Sequence, residues 1–250
     1  MESPRLPKAL IARVLVRSFF LQASWNFERL QSLGSLYAIV PALRFLYRGE
    51  ALTLACQRHL EYFNTHPFMA SPVLGTLLAL EEKSCRGEKT YLGVQEFRRM
   101  IMAPYAAVGD ALFWGGLRPA AAAVALLFAL RESLWAPVVF LLMFNLPHLF
   151  FRFFGLVQGY VQGLKIVEVI QGRRLPDLAI RFKEATVVLL GGACAALAFF
   201  TTRAEALPAG WGLVAAPLVI LLGKLAHRGI STLLLVLAAA TVVLALDRIF

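Results

Sequence analysis

Charged residues are scarce in this sequence. Only 16% of its 250 residues are Asp, Glu, Lys or Arg, whereas 59% are hydrophobic and the mean hydropathy is +0.70. An average soluble domain is about 25% charged and about 45–50% apolar. So few polar side chains cannot cover the surface of a water-soluble fold, so the surplus apolar area must face lipid or other subunits. The composition therefore excludes a soluble globule and a disordered chain.

Acidic residues and cysteines are also few. The chain has 15 acidic and 25 basic residues, which gives a net charge of +10. This excess favours basic loops on the cytoplasmic side of a membrane and contact with anionic lipid. No block of Lys or Arg and no basic–aromatic platform is present, so nucleic-acid binding is not predicted. Cys56, Cys85 and Cys194 form no C-x-x-C pair, which excludes a disulfide framework and argues against a metal site.

Common enzyme signatures are missing. The sequence contains no phosphate-binding P-loop motif, no H-E-x-x-H metalloprotease motif and no G-x-S-x-G nucleophile motif. We therefore predict no catalytic residue, no metal and no cofactor in this chain.

Long uncharged runs dominate the C-terminal half. Four runs of 18 or 19 residues carry no formal charge: Ser133–Phe151, Ala185–Thr202, Ala206–Gly223 and Gly229–Leu246. A helix needs about 20 mostly apolar residues, within a range of about 17–25, to cross the hydrocarbon layer. Pro119–Leu130 is shorter and spans only if Leu112–Leu117 extends it. The sequence predicts a region of transmembrane helices over residues 119–250.

Apolar segments in the N-terminal half are short and interrupted. Residues 5–20 place basic side chains at helical spacing among apolar ones, a pattern typical of a helix that lies in the membrane interface. Residues 62–80 are uncharged but contain Asn-Thr-His-Pro, and proline disfavours the helical conformation of the residue before it. Irregular backbone at membrane depth persists only inside protein or beside a water-filled cavity. We predict amphipathic, broken and re-entrant helices over residues 1–118. The whole chain is then one integrated, all-α polytopic membrane protein.

Three polar clusters interrupt the apolar sequence, at residues 22–29, 58–67 and 104–119. An unpaired polar group in an apolar setting costs about 2–7 kcal/mol, so these groups must meet protein, water or a ligand. Carboxylates and amides bind sugar hydroxyls, and an aromatic ring covers the apolar face of a sugar. The predicted substrate-binding or pathway residues are Trp25, Asn26, Glu28, Asn64, His66, Asp110 and Trp114.

Each cluster also has a structural alternative. Residues 25–28 could cap a helix end, with Trp25 as an interfacial anchor. Residues 64–67 could form a turn without any ligand, because Asn and Pro favour turns. Gly109 and Asp110 could form a turn and a helix N-cap, with Trp114 at the interface. The sequence alone leaves both interpretations open.

Four further ionisable residues are interpreted as structural. His148 lies in an apolar run, and His227 lies among basic residues. Glu81 and Glu82 end an apolar run and precede a polar loop, so we interpret them as a solvated helix end.

With these motifs in this order, the chain resembles the IID membrane subunit of the mannose/fructose/sorbose-family sugar phosphotransferase systems. The matching stretches are RSFFLQASWNFERLQSLGSLYAIVPALRFLY (17–47), RHLEYFNTHPFMASPVLGTLLALEE (58–82), GDALFWGGLRP (109–119), FNLPHLFFRFFGLVQGY (144–160) and RGISTLLLVLAAATVVLAL (228–246). Several long motifs of unusual composition in one order make the resemblance specific.

The resemblance implies a function and a set of partners. A IIC membrane subunit and the IID subunit together would form the pathway for a hexose sugar. Separate IIA and IIB proteins would carry the phosphoryl group on their own histidines, so no phosphorylated residue is expected in this chain. The family is similar to an elevator-type carrier in the bacterial cytoplasmic (inner) membrane, with IIC–IID pairs assembled as a trimer.

One departure from the family pattern keeps a second hypothesis open. The family reads M-G-P-L-A-G-I-G-D where this chain has Ala103 and Ala107 in place of two glycines and Tyr105 in place of leucine. Alanine restricts backbone freedom and close approach, so a turn or pocket here would be reshaped. The alternative is a membrane scaffold or regulatory protein that retains the fold and moves no sugar.

Overall fold

The computed structural model describes residues 5–204 and 211–247, and most of them are helical. The first helices are α1 (Lys8–Ser18), α2 (Ser32–Leu46), α3 (Gly49–His59), α4 (Ala70–Cys85), α5 (Val94–Gly109), a π-helix (Asp110–Leu117) and α6 (Arg118–Ala129). They are followed by α7 (Trp135–Gln162), a 3₁₀-helix (Gly163–Lys165), α8 (Ile166–Gly172), α9 (Leu175–Ala204), α10 (Trp211–His227) and α11 (Thr232–Asp247). These helices confirm the predicted all-α fold.

Among the described residues, two helical stretches are long and apolar enough to cross a membrane, Val94–Ala129 and Trp135–Thr201. In the first, α5 continues through the π-helix into α6, so residues 112–117 do extend the short apolar run after them. In the second, α7 continues past the charged Arg152 to Gln162. Large apolar side chains on these helices are exposed, for example Leu146 at 60% and Val188 at 73%, as expected for a surface that faces lipid.

The chain divides into two compact units, Met1–Ala193 and Cys194–Phe250. In the second unit, α10 and α11 contact each other. The predicted run Ala206–Gly223 is described only from residue 211 onward. The predicted division at residue 118, between a region that carries the polar motifs and a region of transmembrane helices, stays a prediction.

Helix α4 is the centre of the first unit. All of its side chains from Ala70 to Glu82 are buried, and it packs against α7, α2 and α5. A Cβ atom at Gly159 of α7 would overlap the Pro72 carbonyl, so only glycine allows this approach of the two helices. The Thr76 hydroxyl lies within hydrogen-bond distance of the carbonyls of Pro72 (3.0 Å) and Gly159 (3.3 Å). The contact fixes α4 against α7.

Glu81, near the C-terminal end of α4, is fully buried, so its interpretation as part of a solvated helix end was wrong. Its carboxylate accepts hydrogen bonds from Tyr47 Oη (2.8 Å), His59 Nε2 (2.7 Å) and Arg58 Nε (2.8 Å). Burial lowers the pKa of His59, so its neutral ring donates Nε2–H. Burial alone would raise the pKa of Glu81, but the hydrogen bonds from His59 and Arg58 outweigh it and lower this pKa to about 2.

Glu82 is also buried, so it is not part of a solvated helix end either, and its partners differ from those of Glu81. Its carboxylate accepts the backbone N–H of Leu6 (3.0 Å) and the hydroxyl of Tyr160, and it pairs with Arg86. The two neighbouring carboxylates thus connect α4 to separate parts of the first unit. Glu81 contacts α3 and the end of α2, whereas Glu82 contacts the N-terminal segment and α7.

Candidate functional site

His66 is the centre of the candidate site. It lies in the irregular connection between α3 and α4 and is buried. Its Nδ1 accepts the backbone N–H of Phe68 (3.2 Å). Its ring stacks on Phe113, with centroids 5.2 Å apart and an interplanar angle of 17°, and lies 5.1 Å from the Trp114 ring. A connection of about ten residues thus brings the second polar cluster of the sequence against the third.

The protonation state of His66 follows from its surroundings. Burial, and then the nearby Arg152 and His148, lowers its pKa to about 4, so the ring is neutral at pH 7. Because Nδ1 accepts a hydrogen bond, the proton resides on Nε2. In the described parts of the chain this atom is buried without a hydrogen-bond partner, and it lies 4.0 Å from Asp110 Oδ1. A buried donor left unpaired is costly, so we expect this N–H to acquire a partner in the assembled protein.

The π-helix positions Asp110 and Trp114. The alternative interpretation of Gly109 and Asp110 as a turn and an N-cap is excluded, because Gly109 has a helical φ of −64° and the chain continues from α5 without a break. Glycine is needed there because a Cβ atom would overlap the His66 ring. π-Helical turns are rare overall, but those that do occur are often found at functional sites. The Asp110 side chain is 63% exposed and Trp114 is 39% exposed, above the buried ring of Phe113. A carboxylate and part of an indole therefore face outward together.

Side chains of α7, which the sequence analysis missed as site residues, complete the cluster. Phe144 stacks on Trp114 with centroids 5.8 Å apart, and His148 stacks on Phe68 at 4.1 Å. The guanidinium of Arg152 lies 5.2 Å from the Phe68 ring. Residues 144, 148 and 152 are four apart, and this spacing places them on one helix face. That periodicity is the signal that could have identified them.

The first polar cluster of the sequence forms its own loop. Asn26 Oδ1 accepts the backbone N–H groups of Glu28 (3.1 Å) and Arg29 (2.9 Å), which is the turn chemistry of asparagine rather than a helix cap. Trp25 packs edge-on against Phe27 at 4.8 Å, and Glu28 pairs with Arg29. Within residues 5–204 and 211–247, no hydrogen bond, ion pair or ring contact joins Trp25, Asn26 or Glu28 to the His66 cluster. Their role in sugar contact stays a prediction.

A buried glutamine connects this loop to the His66 connection. Gln31 Nε2 donates to the Thr65 carbonyl (2.8 Å), and its Oε1 accepts the Thr65 N–H (3.1 Å). Asn64 is half-buried, and its backbone N–H lies 3.3 Å from Met102 Sδ. No pattern in the sequence singles out Gln31, because its partner lies 34 residues away. These two hydrogen bonds between Gln31 and Thr65 hold the backbone immediately before His66.

The family departures lie in a regular helix. Ala103 and Ala107 are in α5, their side chains are exposed, and neither has a positive φ. Tyr105 is buried. The turn that glycine would favour is therefore not formed, and alanine introduces no backbone strain at these two positions.

Comparison with known proteins identifies related sequences. The family model of the mannose/fructose/sorbose-family IID component of the phosphotransferase system matches residues 5–210. The mannose-specific EIID component of Escherichia coli K12 is 43% identical over 177 residues. The fructose permease IID component of Bacillus subtilis is 38% identical over 176 residues. Each alignment covers 70% of this chain, and 62% and 64% of those two relatives. The chain thus spans less than two thirds of their length.

Two solved structures are similar over nearly the whole chain. A structure described as a membrane protein has a TM-score of 0.74, 32% identity and 97% coverage of both chains. A chain of the cryo-EM structure of mannose transporter ManYZ with microcin E492 has a TM-score of 0.60, 32% identity and 96% coverage of both chains.

Proposed function

The chain belongs to the mannose/fructose/sorbose-family IID components of the phosphotransferase system, and on that premise we propose that it is the IID subunit of a sugar permease. With a IIC membrane subunit it forms the pathway through which a hexose crosses the membrane. IIA and IIB proteins supply the phosphoryl group to the arriving sugar. The family match and the all-α fold agree with the family and the fold class predicted from the sequence.

The arrangement of His66, Asp110 and Trp114 is the observation that carries this proposal. The exposed Asp110 carboxylate accepts sugar hydroxyl hydrogens, and the buried His66 ring lies beside this carboxylate, with Nε2 4.0 Å from Asp110 Oδ1. The partly exposed Trp114 covers the apolar face of the ring. Asp110 and Trp114 are exposed together on the π-helix, and the buried His66 packs against them, so a carboxylate and an aromatic face are presented side by side to a polyhydroxylated ligand.

The four other predicted residues are proposed to act at the edge of the pathway or in the contact with IIC. Trp25 is 44% exposed and its neighbour Phe27 is 92% exposed, and the loop that carries them is fixed by Asn26. Exposed aromatic rings on a fixed loop suit contact with another subunit. Glu28 lies in the same loop, and Asn64 lies two residues before His66.

The remaining proposals concern assembly and location. We expect IIC–IID pairs that form a trimer, move sugar by an elevator-type motion and reside in the bacterial cytoplasmic (inner) membrane as multi-pass proteins. The exposed apolar surfaces of α7 and α9 support insertion in lipid. Residues 1–118 would carry the polar contacts, and residues 119–250 most of the membrane span.

Co-expression tests the proposal. The chain is expressed with IIC and IIA/IIB subunits in a host that lacks its own mannose-family permease. Uptake and phosphorylation of labelled mannose, glucose and fructose are then measured. We expect both to require this chain, to fall at least about ten-fold in Asp110→Asn because a charge-assisted hydrogen bond is lost, and to persist in the control Asp177→Asn. Asp177 is on α9, where it pairs with Arg174.

The same measurements distinguish a transport subunit from the alternative, a membrane scaffold that moves no sugar. A chain that co-purifies with IIC but supports no sugar phosphorylation, under conditions in which a mannose-specific relative does, is a scaffold and not a transport subunit. Unchanged uptake in Asp110→Asn would remove the carboxylate from the site.

A further inference from the structure

We propose that a cavity between α3 and α5, outside the His66 cluster, binds the phosphate group of an anionic ligand, with the headgroup of a membrane phospholipid as the favoured source. The cavity measures about 480 Å³. Its charged lining residues are Arg29, Glu61, Arg98 and Arg99. It is therefore lined by three cations and one carboxylate.

Arg98 is a buried cation that forms no direct ion pair with a carboxylate of the described residues. Its side chain is almost fully buried, and its guanidinium donates to the backbone carbonyls of Arg58 (3.0 Å) and Glu61 and lies 5.1 Å from the Phe63 ring. Its Nε is buried without a hydrogen-bond partner, and no carboxylate oxygen lies within 4.0 Å of the guanidinium in the described parts of the chain. A buried charge is costly unless an opposite charge compensates it. The structure thus leaves positive charge at this wall of the cavity.

The other two cations are only partly neutralised. Arg99 pairs with Glu61 (3.0 Å), and Arg29 pairs with Glu28 (3.2 Å). Both arginine side chains are about half exposed or more, so water screens these pairs and each has donors left for a ligand. Planar guanidinium groups bind phosphate oxygens with two parallel hydrogen bonds. The arrangement fits a phosphate group better than a single carboxylate.

The position of the cavity along the membrane helix favours a lipid headgroup. The helical stretch Val94–Ala129, which contains an apolar window long enough to cross a membrane, has 36 residues, or about 50 Å of helix, whereas the hydrocarbon core is about 30 Å thick. Arg98 and Arg99 lie within the first two turns of this stretch. The excess length allows these turns to lie at the level of the headgroups, where basic pockets between helices bind anionic lipid.

Binding to the purified full-length protein tests the proposal. The protein, in detergent, is titrated separately with dihexanoyl-phosphatidylglycerol, with dihexanoyl-phosphatidylcholine and with inorganic phosphate. We expect saturable binding of phosphatidylglycerol that weakens at high salt. Arg99→Gln is expected to weaken it about ten-fold, since one charge-assisted contact is lost, and Arg29→Gln to weaken it by a smaller factor. The matched control is Arg131→Gln, an exposed arginine after α6.

Phosphatidylcholine, which carries no net charge, should bind more weakly than phosphatidylglycerol, and equal binding of the two would overturn the proposal of an anionic ligand. Tight phosphatidylglycerol binding with weak phosphate binding, lost in Arg99→Gln, supports a lipid headgroup. Equal competition by inorganic phosphate, also lost in Arg99→Gln, supports phosphate recognition with a soluble source. Arg98→Gln, which removes the buried cation, should abolish binding; if this variant does not fold, Arg99→Gln and Arg29→Gln still test the site. Binding that is absent, or that Arg99→Gln and Arg131→Gln weaken equally, overturns the proposal.

Discussion

Replacing the buried Glu81 should destabilise the first unit strongly. In Glu81→Gln the charge is removed, while Arg58, His59 and Tyr47 stay in place around a neutral amide. Breaking a buried ion pair by removing one partner costs about 3–5 kcal/mol. The Arg58 side chain is 23% exposed, so it can reach water, and the lower end of this range applies.

The acid dependence of stability gives a second measure of the same interaction. The pKa of Glu81 falls from 4.5 to about 2 on folding, and one pKa unit corresponds to about 1.36 kcal/mol. The carboxylate therefore contributes about 3 kcal/mol to the free energy of unfolding. Because its pKa is lower in the folded state, this contribution is complete above about pH 4.5 and is lost as the pH falls toward 2.

Thermal unfolding of the detergent-solubilised protein, followed by circular dichroism between pH 7 and pH 3, measures both effects. We expect Glu81→Gln to melt at a clearly lower temperature at pH 7 and to lose less further stability on acidification than the wild type. The control Glu50→Gln removes an exposed carboxylate from α3 and should melt like the wild type. If Glu81→Gln kept both the wild-type melting temperature and its acid dependence, the reasoning about this buried network would be refuted.

Three further substitutions test the site and the core. Gly109→Ala should abolish sugar uptake because its Cβ would displace the His66 ring. The control Gly115→Ala, also in this helical region, places its Cβ at an ordinary 3.4 Å from Lys183 and should retain sugar uptake. Equal uptake in the two variants would contradict the close contact between Gly109 and His66. Gly159→Ala should lower the melting temperature because its Cβ would overlap the Pro72 carbonyl, and Gly191→Ala, with open space around its Cβ, should not; a stable Gly159→Ala would show that α4 and α7 can separate freely. Gln31→Leu should reduce the free energy of unfolding by about 2–4 kcal/mol, since it leaves the buried Thr65 N–H and C=O unpaired. A change within about 0.5 kcal/mol in chemical unfolding would show that these two hydrogen bonds do not stabilise the fold.

The sequence could predict features that depend on composition and short-range pattern. Uncharged runs of 18 or 19 residues identified the long helices α7 and α9, because few structures other than a membrane-spanning helix place so many apolar residues in a row. The islands of polar residues identified His66, Asp110 and Trp114, since polar groups in apolar surroundings need partners. The contact among these three could not be predicted, because it joins residues about 45 positions apart.

Features that depend on distant partners were missed or misread. Glu81 precedes a polar loop, so it looked solvated, but Arg58 and His59, more than 20 residues earlier, bury it. The uncharged run Ser133–Phe151 ends at the residue before Arg152. The helix α7 nevertheless continues, because the rings of Phe19 and Phe68 accommodate the Arg152 guanidinium. The π-helical form of residues 110–117 has no periodicity signal in a segment of eight residues.

Equilibrium binding of labelled mannose to the purified IIC–IID complex is the most direct test of the proposed sugar site. Wild type and Asp177→Asn should bind with equal affinity, and Asp110→Asn should bind at least about ten-fold more weakly. Equal affinity in all three proteins would show that the Asp110 carboxylate does not bind the sugar and would contradict the proposed site.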